Sequence, residues 1–484
     1  MPNDADTQAR LAQLRQFRQE LYQLLPARRD ALLDLLDALC SSPQARSVVE
    51  LSLSPLFRQE YGSVSAAIAH FFQARRPTRA ARERRVWDRQ VARLIGRYLP
   101  RPQRRPFWLL GTDVVPVPRP CAPTLADKTY VYQPNPVAGN KPVTIGHAYS
   151  QLACLPEKTP PGAAPWVVPL LMRRVQSTEK ATVVGAEQLT TVLTDKQLPF
   201  HQDLTVHVAD SAYSAVEFLG RVAPHPNLVS VTRTAEHRVF YRPPAAAPST
   251  APPGHPQWYG ARFVLKDPTT WGAPDATAET TCRTKRGATY TVRLQGWPNL
   301  RMRGTRDLPM HQHPFTLIRA VVVDQDGQPV YKHALWLIVL GARRAELTLV
   351  AAWAAYGQRY DLEHGFRFGK QRLLLAAFQT PEVAHEENWV HLVQLALVLL
   401  WLGRDLVDAQ LHPWERYLPR RTPRAATPSQ VQRGWARIIR PIGTPAKAPK
   451  RRGKAVGRVT GTRLVRRPRQ KVVKKAARTR RKAA

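Results

Sequence analysis

Apolar positions in the first hundred residues recur every three or four places. "TQARLAQLRQFRQELYQLL" puts Leu11, Leu14, Phe17, Leu21 and Leu24 on one face, the pattern of an amphipathic helix. "ARRDALLDLLDALC" predicts a second helix and "RAARERRVWDRQVARLIGRYL" a basic one. Between them, "SVSAAIAHFFQARRPT" reads as the second half of a helix-turn-helix capped by Ser63 or Ser65. Residues 1–98 are therefore expected to form a helical domain with DNA binding as its candidate role. A plain bundle with a solvated charged face is the alternative.

From Pro106 the period shortens. "FWLLGTDVVPV", bounded by prolines, reads as a buried strand, and "KTYVYQP" and "VTIGHAYSQLACL" as strands around a turn. A helix over "STEKATVVGAEQLTTVLTDKQ" follows, then a strand "LTVHVADSAYS", a short helix and a strand "NLVSVTRT". That order predicts a mixed α/β sheet with helices on its faces over residues 106–234. Residues 235–312, rich in Pro, Gly, Thr and Trp, read as a β-rich insertion. The sheet pattern resumes over residues 313–418, with a hairpin turn at Asp326-Gly327. Two long helices are expected there, from about Leu347 to Phe378 and from Glu386 to Asp408. Residues 419–484 are rich in Pro, Arg and Lys with little apolar period, and are expected to be a disordered tail.

Composition narrows the partners. A chain of 484 residues, 43% hydrophobic, has ample material for more than one domain. Its net charge of +38 predicts a polyanionic partner, nucleic acid first and an anionic membrane surface second. The charge is uneven: residues 419–484 hold 23 Lys or Arg and no acid, leaving +15 to the first 418. Cys40, Cys121, Cys154 and Cys282 have no paired spacing, which argues against a zinc knuckle or a disulfide framework. No signal-peptide pattern opens the sequence, and the apolar run near Leu392–Leu402 is too short for a bilayer. A cytoplasmic protein is the expectation, which weakens the membrane reading.

One segment concentrates chemistry. In "YGQRYDLEHGFRFGK", helical geometry puts Tyr356, Arg359, Arg367 and Lys370 within about 40° of Glu363. An ordinary solvated face with Arg–Glu pairs four apart would look alike on charge spacing. The residue types are more specific. Tyr356, Arg359, Glu363 and Lys370 reproduce the spacing Y-x2-R-x3-E-x6-K, and in this the chain resembles bacterial insertion-sequence DDE transposases.

The resemblance implies a ribonuclease-H-like core whose first aspartate lies on the first core strand and whose second lies at the end of the fourth. Asp113 in "LLGTDVV" and Asp210 in "VHVADSAY" stand at matching places. It further implies catalysis by Asp113, Asp210 and Glu363, which would hold two Mg2+ ions, with Mn2+ as a substitute. Such ions activate water and stabilise the leaving 3′ oxygen of a phosphodiester. A DNA 3′-OH as nucleophile gives strand transfer instead. Arg359 and Lys370 would hold phosphates and Tyr356 a phosphate or a base, while Arg367 joins them on helical phase alone. The implied partner is double-stranded DNA, at element ends and target, bound by a homodimer or larger synaptic assembly near the nucleoid. Tyr360 departs from the Trp common at that place in relatives.

Each aspartate has a plainer reading as a turn former or helix cap, and "SAYS" after Asp210 suits a cap. Asp113 inside an apolar strand is costly unless paired or metal-bound. Among weaker signals, Trp258, Trp271 and Trp297 are core residues or base-stacking ones. His147 and His364 read as structural or near the metals, and His311 and His313 lack a second ligand pair. The alternatives to a transposase are a nuclease that does not transpose, a degenerate copy, and a non-catalytic basic DNA-binding protein.

Overall fold

The computed structural model describes residues 4–72, 77–133, 142–158, 163–245, 257–283, 287–407, 426–450, 459–461, 463 and 465–475. The first helices are α1 (Asp4–Leu24), α2 (Arg29–Ser41), α3 (Gly62–Ala69) and α4 (Pro77–Tyr98). Strands β1 (Trp108–Pro118), β2 (Thr129–Tyr132), β3 (Val143–Cys154) and β4 (Val168–Val175) follow. Next come α5 (Ala181–Leu193), β5 (Thr205–Ala209), α6 (Val216–Val222) and β6 (Leu228–Thr234). Then β7 (Val239–Tyr241), β8 (Arg262–Val264), β9 (Ala276–Arg283), β10 (Thr289–Leu300), β11 (Phe315–Val323) and β12 (Leu335–Leu340). The last elements are α7 (Leu349–Gln358), α8 (Tyr360–Arg372), α9 (Val383–Leu402) and α10 (Pro428–Ile442). The chain divides into two compact units, Met1–Leu99 with Val114–Lys180 and Glu363–Ala484, and Pro100–Asp113 with Ala181–Leu362.

The first unit is a helical body with a small antiparallel ladder. Helix α9 is buried from Asn388 to Leu402, on all its sides, and it packs on β4, α2, α3 and α10. Strand β3 pairs antiparallel with β2 and β4. Strand β4 is absent from the expected pattern, because Pro169 interrupts its apolar run and a Pro-rich stretch precedes it. Helix α3 is not capped by Ser63 or Ser65. Its N-cap is Tyr61, with no side-chain hydrogen bond, and Ser63 is buried.

A buried ionic cluster ties this unit together. Glu386 on α9 accepts from Arg119 Nε at 3.0 Å and from Tyr149 OH at 2.9 Å, and His147 Nδ1 lies 3.0 Å away. All four side chains are buried. Burial pushes the Glu386 carboxyl up, but His147, Arg119 and Tyr149 more than offset it and hold it below the usual range.

The expected disordered tail contains an ordered helix. Residues 428–442 form α10, opened by a capping box between Thr427 and Gln430. Val431, Trp435, Ile438, Ile439 and Ile442 are buried, and Trp435 Nε1 donates to Asp37 at 3.3 Å. The apolar stripe had been masked by the arginines interleaved with it. Residues 419–425, 451–458 and 476–484 of that expected tail lie outside the described residues.

The second unit carries a mixed sheet in the order β1-β5-β6-β12-β11-β10-β9. Strands β1, β5 and β6 run parallel, and the others join antiparallel. Residues 276–283 and 289–300, expected inside the insertion, form β9 and β10 and continue this sheet, while β7 and β8 pair separately. The turn expected at Asp326-Gly327 is present, with Gly327 at φ 75° and its N–H donating to Asp324 O at 3.2 Å. Gly185 brings α5 against the sheet, since a Cβ there would lie 2.8 Å from the Tyr213 ring and 3.1 Å from Thr112.

The single long helix expected over Leu347–Phe378 is two helices. α7 ends at Gln358 and α8 begins at Tyr360, and residues beyond Arg372 leave the helix. At the junction Arg359 N donates to Tyr356 O and Leu362 N to Arg359 O, both at 3.0 Å. These three-residue closures tighten the turn without leaving helical dihedrals, so periodicity alone does not expose the break. The next helix likewise differs from the expected Glu386–Asp408, since α9 starts at Val383 and ends before Gly403. Asp408 lies outside the described residues.

Candidate active site

Parallel pairing fixes where the two aspartates stand. The β1–β5 register runs from Trp108↔Thr205 to Thr112↔Ala209. Asp113, inside β1, and Asp210, the residue after β5, come next in each chain direction, so their backbones stand at one level on neighbouring strands. Adjacent strands lie about 4.8 Å apart, so the two aspartate backbones are close neighbours. The β5–β6 register ends on Ala209↔Thr232, placing Arg233 beside Asp210 at that same level.

The strands below are locked by buried polar contacts. His207 lies 2.9 Å from Thr112 Oγ1 through Nε2 and 3.3 Å from Ser230 Oγ through Nδ1, joining β1, β5 and β6. All three side chains are buried. Burial pushes the His207 imidazole down to about 3, so it is neutral and presents one donor and one acceptor. A one-residue slip of β5 would break both contacts and move Asp210 off the level of Asp113.

Both aspartates have protein partners. Arg359 Nη1 stands 3.5 Å from Asp113 Oδ2, with Arg359 buried and the Asp113 side chain 19% exposed. The guanidinium also lies over the rings of Tyr360 at 4.7 Å and Tyr356 at 5.7 Å. Burial pushes the Tyr356 phenol up, while Arg359 and Arg233 pull the other way. Asp210 Oδ1 accepts from Ala212 N at 2.9 Å and caps the short helical turn Ser211–Ser214. The cap reading of Asp210 therefore holds, alongside its place next to Asp113.

The remaining residues of the signature belong to the first unit. Glu363 and Arg367 are exposed on α8 four residues apart, and Lys370 is half-buried, its ammonium pulled down by burial. His364 is half-buried on the same helix, and His147 belongs to the Glu386 cluster. Trp271 and Trp297 pack with Phe263 and Trp336, the Trp271–Trp336 centroids 5.1 Å apart, and Trp297 is fully buried. Trp258 instead is exposed and stacked on His311 at 4.0 Å. Burial, then His311, lowers the His313 imidazole.

Sequence reasoning missed Arg233 and His207. The signal for each was a polar residue inside an apolar strand, "VSVTRT" and "LTVHVAD". Neither belongs to a motif, and only the parallel register brings them to the aspartates.

The donor chemistry suits a hard divalent cation. Asp113 and Asp210 offer carboxylate oxygens from adjacent strands, and Mg2+ is held by one or two carboxylates while keeping several waters. Among the described residues, no three His, Cys, Asp or Glu side chains gather as a metal site. A cation held by these two residues would take its further oxygens from water, substrate or another carboxylate.

A family model described as DDE superfamily endonuclease matches residues 20–296, more than half of the chain. The matched span contains Asp113 and Asp210 and stops short of Glu363. No curated protein matches the sequence. By the extent of that match, and in keeping with its mixed sheet, the chain belongs to the DDE superfamily endonucleases.

Proposed function

We propose that this DDE superfamily endonuclease is a transposase, cutting DNA at element ends and joining the freed 3′-OH to a target. The observation that carries the reading is the placement of Asp113 and Asp210 at one level on adjacent parallel strands. With Glu363 as third carboxylate, they would hold the Mg2+ ions, for which Mn2+ can substitute. The bound ions supply water activation and charge neutralisation at the leaving oxygen.

The chain's own side chains do the rest. Arg359 balances the charge of Asp113 and orients its carboxylate, and is close enough to take a scissile phosphate oxygen in exchange. Arg233 adds a second cation on the substrate side of Asp210. His207, locked neutral beneath them, keeps both strand ends in register. On this reading Tyr356 positions Arg359 through its ring, while Arg367 and Lys370 take flanking phosphates.

The test is a reaction of the purified chain with Mg2+ and duplex DNA carrying the flanking inverted repeats. Nicked ends followed by strand-transfer products are expected, and Glu363→Gln should lose both while retaining binding. Cleavage without any joined product would leave an endonuclease and remove the transposase.

A further inference from the structure

We infer that the outer face of α4 is a docking surface for the phosphate backbone of duplex DNA. The proposal rests on the reading of the chain as an enzyme that acts on DNA. Helix α4 has two unlike faces. Its inner face is anchored: Trp87, Val91, Leu94 and Ile95 are buried, and Trp87 meets Phe71 at 5.2 Å and His391 at 5.1 Å. Its outer face carries Arg82, Arg85 and Arg89, all exposed, and then the half-buried Arg93.

Spacing and sign point to the occupant. Steps of four residues put Arg85, Arg89 and Arg93 about 6 Å apart along the axis, close to the step between phosphates of one strand. A solvated helix usually sets opposite charges four apart, whereas Arg85–Arg89 is a like-charge pair, costing a few tenths of a kcal/mol. The two acidic residues of α4 do not relieve it. Glu83 pairs with Arg79 at 3.3 Å, and Asp88 faces His391 at 3.6 Å. Arginine also binds phosphate bidentately where lysine acts as a point charge. A membrane would need large apolar residues beside the cations, and among the described residues this face offers only Val86.

The experiment compares two charge-matched triple variants of the full chain on a labelled 30-base-pair duplex across a salt series. One is Arg82→Gln, Arg85→Gln and Arg89→Gln. The other, Arg433→Gln, Arg437→Gln and Arg440→Gln, removes three exposed arginines from α10. The first should bind at least tenfold more weakly, with a salt slope smaller by about 2 to 3. The second should change affinity less than threefold, and thermal melting should be unaltered in both.

Equal losses in the two variants would mean that affinity follows net charge alone and would overturn the proposal. Wild-type affinity in the first variant would overturn it too, as would tighter binding of the wild type to anionic vesicles than to duplex DNA. Cleavage by the wild type is scored separately. DNA that is bound through α4 yet never cut would remove the nuclease reading and leave this surface standing.

Discussion

Arg359 Nη1 stands 3.5 Å from Asp113 Oδ2, a contact between the last residue before α8 and the first β-strand. The tightened turn between α7 and α8 is what delivers it, and the rings of Tyr356 and Tyr360 hold the guanidinium there. Arg359→Ala should lower DNA cleavage by about 100-fold while changing duplex affinity little, as expected when a positioned charge is lost. Arg359→Lys keeps the charge without the planar fork and should recover only part of the rate. Full activity in Arg359→Ala, measured at saturating DNA, would separate the ion pair from the chemistry.

Asp210 both caps a turn and stands beside Asp113, and two substitutions separate these roles. Asparagine keeps the oxygen that accepts from Ala212 N, so Asp210→Asn should melt like the wild type and lose cleavage. Asp210→Ala should lose cleavage and also about 1 kcal/mol of stability. If Asp210→Asn cuts DNA normally, the residue is a cap only.

His207 predicts a pH dependence of stability. Its folded pKa is depressed to about 3 by burial, so the unfolded chain takes up the proton first. The stabilisation is complete above the ordinary histidine value near 6.5 and drains away as pH falls from there toward 3. Denaturant titrations of His207→Gln should show a shallower loss over that window. The same loss in both proteins would contradict a neutral, buried His207.

Glu386 predicts a second acid limit. Its folded pKa is depressed, so its contribution is present above the usual carboxylate range and is lost as pH falls through its folded value. Glu386→Gln strands Arg119 in the core and should cost about 3–5 kcal/mol at neutral pH. Denaturant midpoints with and without the substitution measure it.

Removing residues from 419 onward would take away α10, whose Trp435 and isoleucines are buried in the first unit. Such a truncation should unfold or severely destabilise the chain, because large buried side chains contribute about 3–5 kcal/mol each. A truncation after residue 450 would keep α10 but remove the N–H bonds of Gln470 to Pro123 O and of Val473 to Lys128 O and the Arg467–Glu382 pair, so it should lower melting far less and weaken DNA affinity in a salt-dependent way. Circular dichroism of the two truncations distinguishes these outcomes.

The strands that carry the carboxylates were legible because they are apolar runs with one charged residue, inside β1 and just after β5. "LLGTDVV" and "VHVADSAY" announce β1 and β5, and chain order paired them. What sequence could not supply was register, which alone brings Arg233 and His207 to the aspartates. Strand β4 was hidden by Pro169, and α10 by the density of positive charge around a good apolar stripe. The segment from Tyr356 to Lys370 kept helical period through Arg359, so a hydrogen-bond change from four residues to three left no trace in the pattern.

The central claim is that Asp113 and Asp210 form the metal-binding nucleus of a DNA-cutting site. Cleavage of duplex DNA by Asp113→Asn, beside the wild type and with Mg2+ present, tests it most directly. The account predicts that the wild type cuts only with a divalent cation, and that Asp113→Asn binds the same DNA but leaves it intact. Metal-dependent cleavage by Asp113→Asn at the wild-type rate would contradict it.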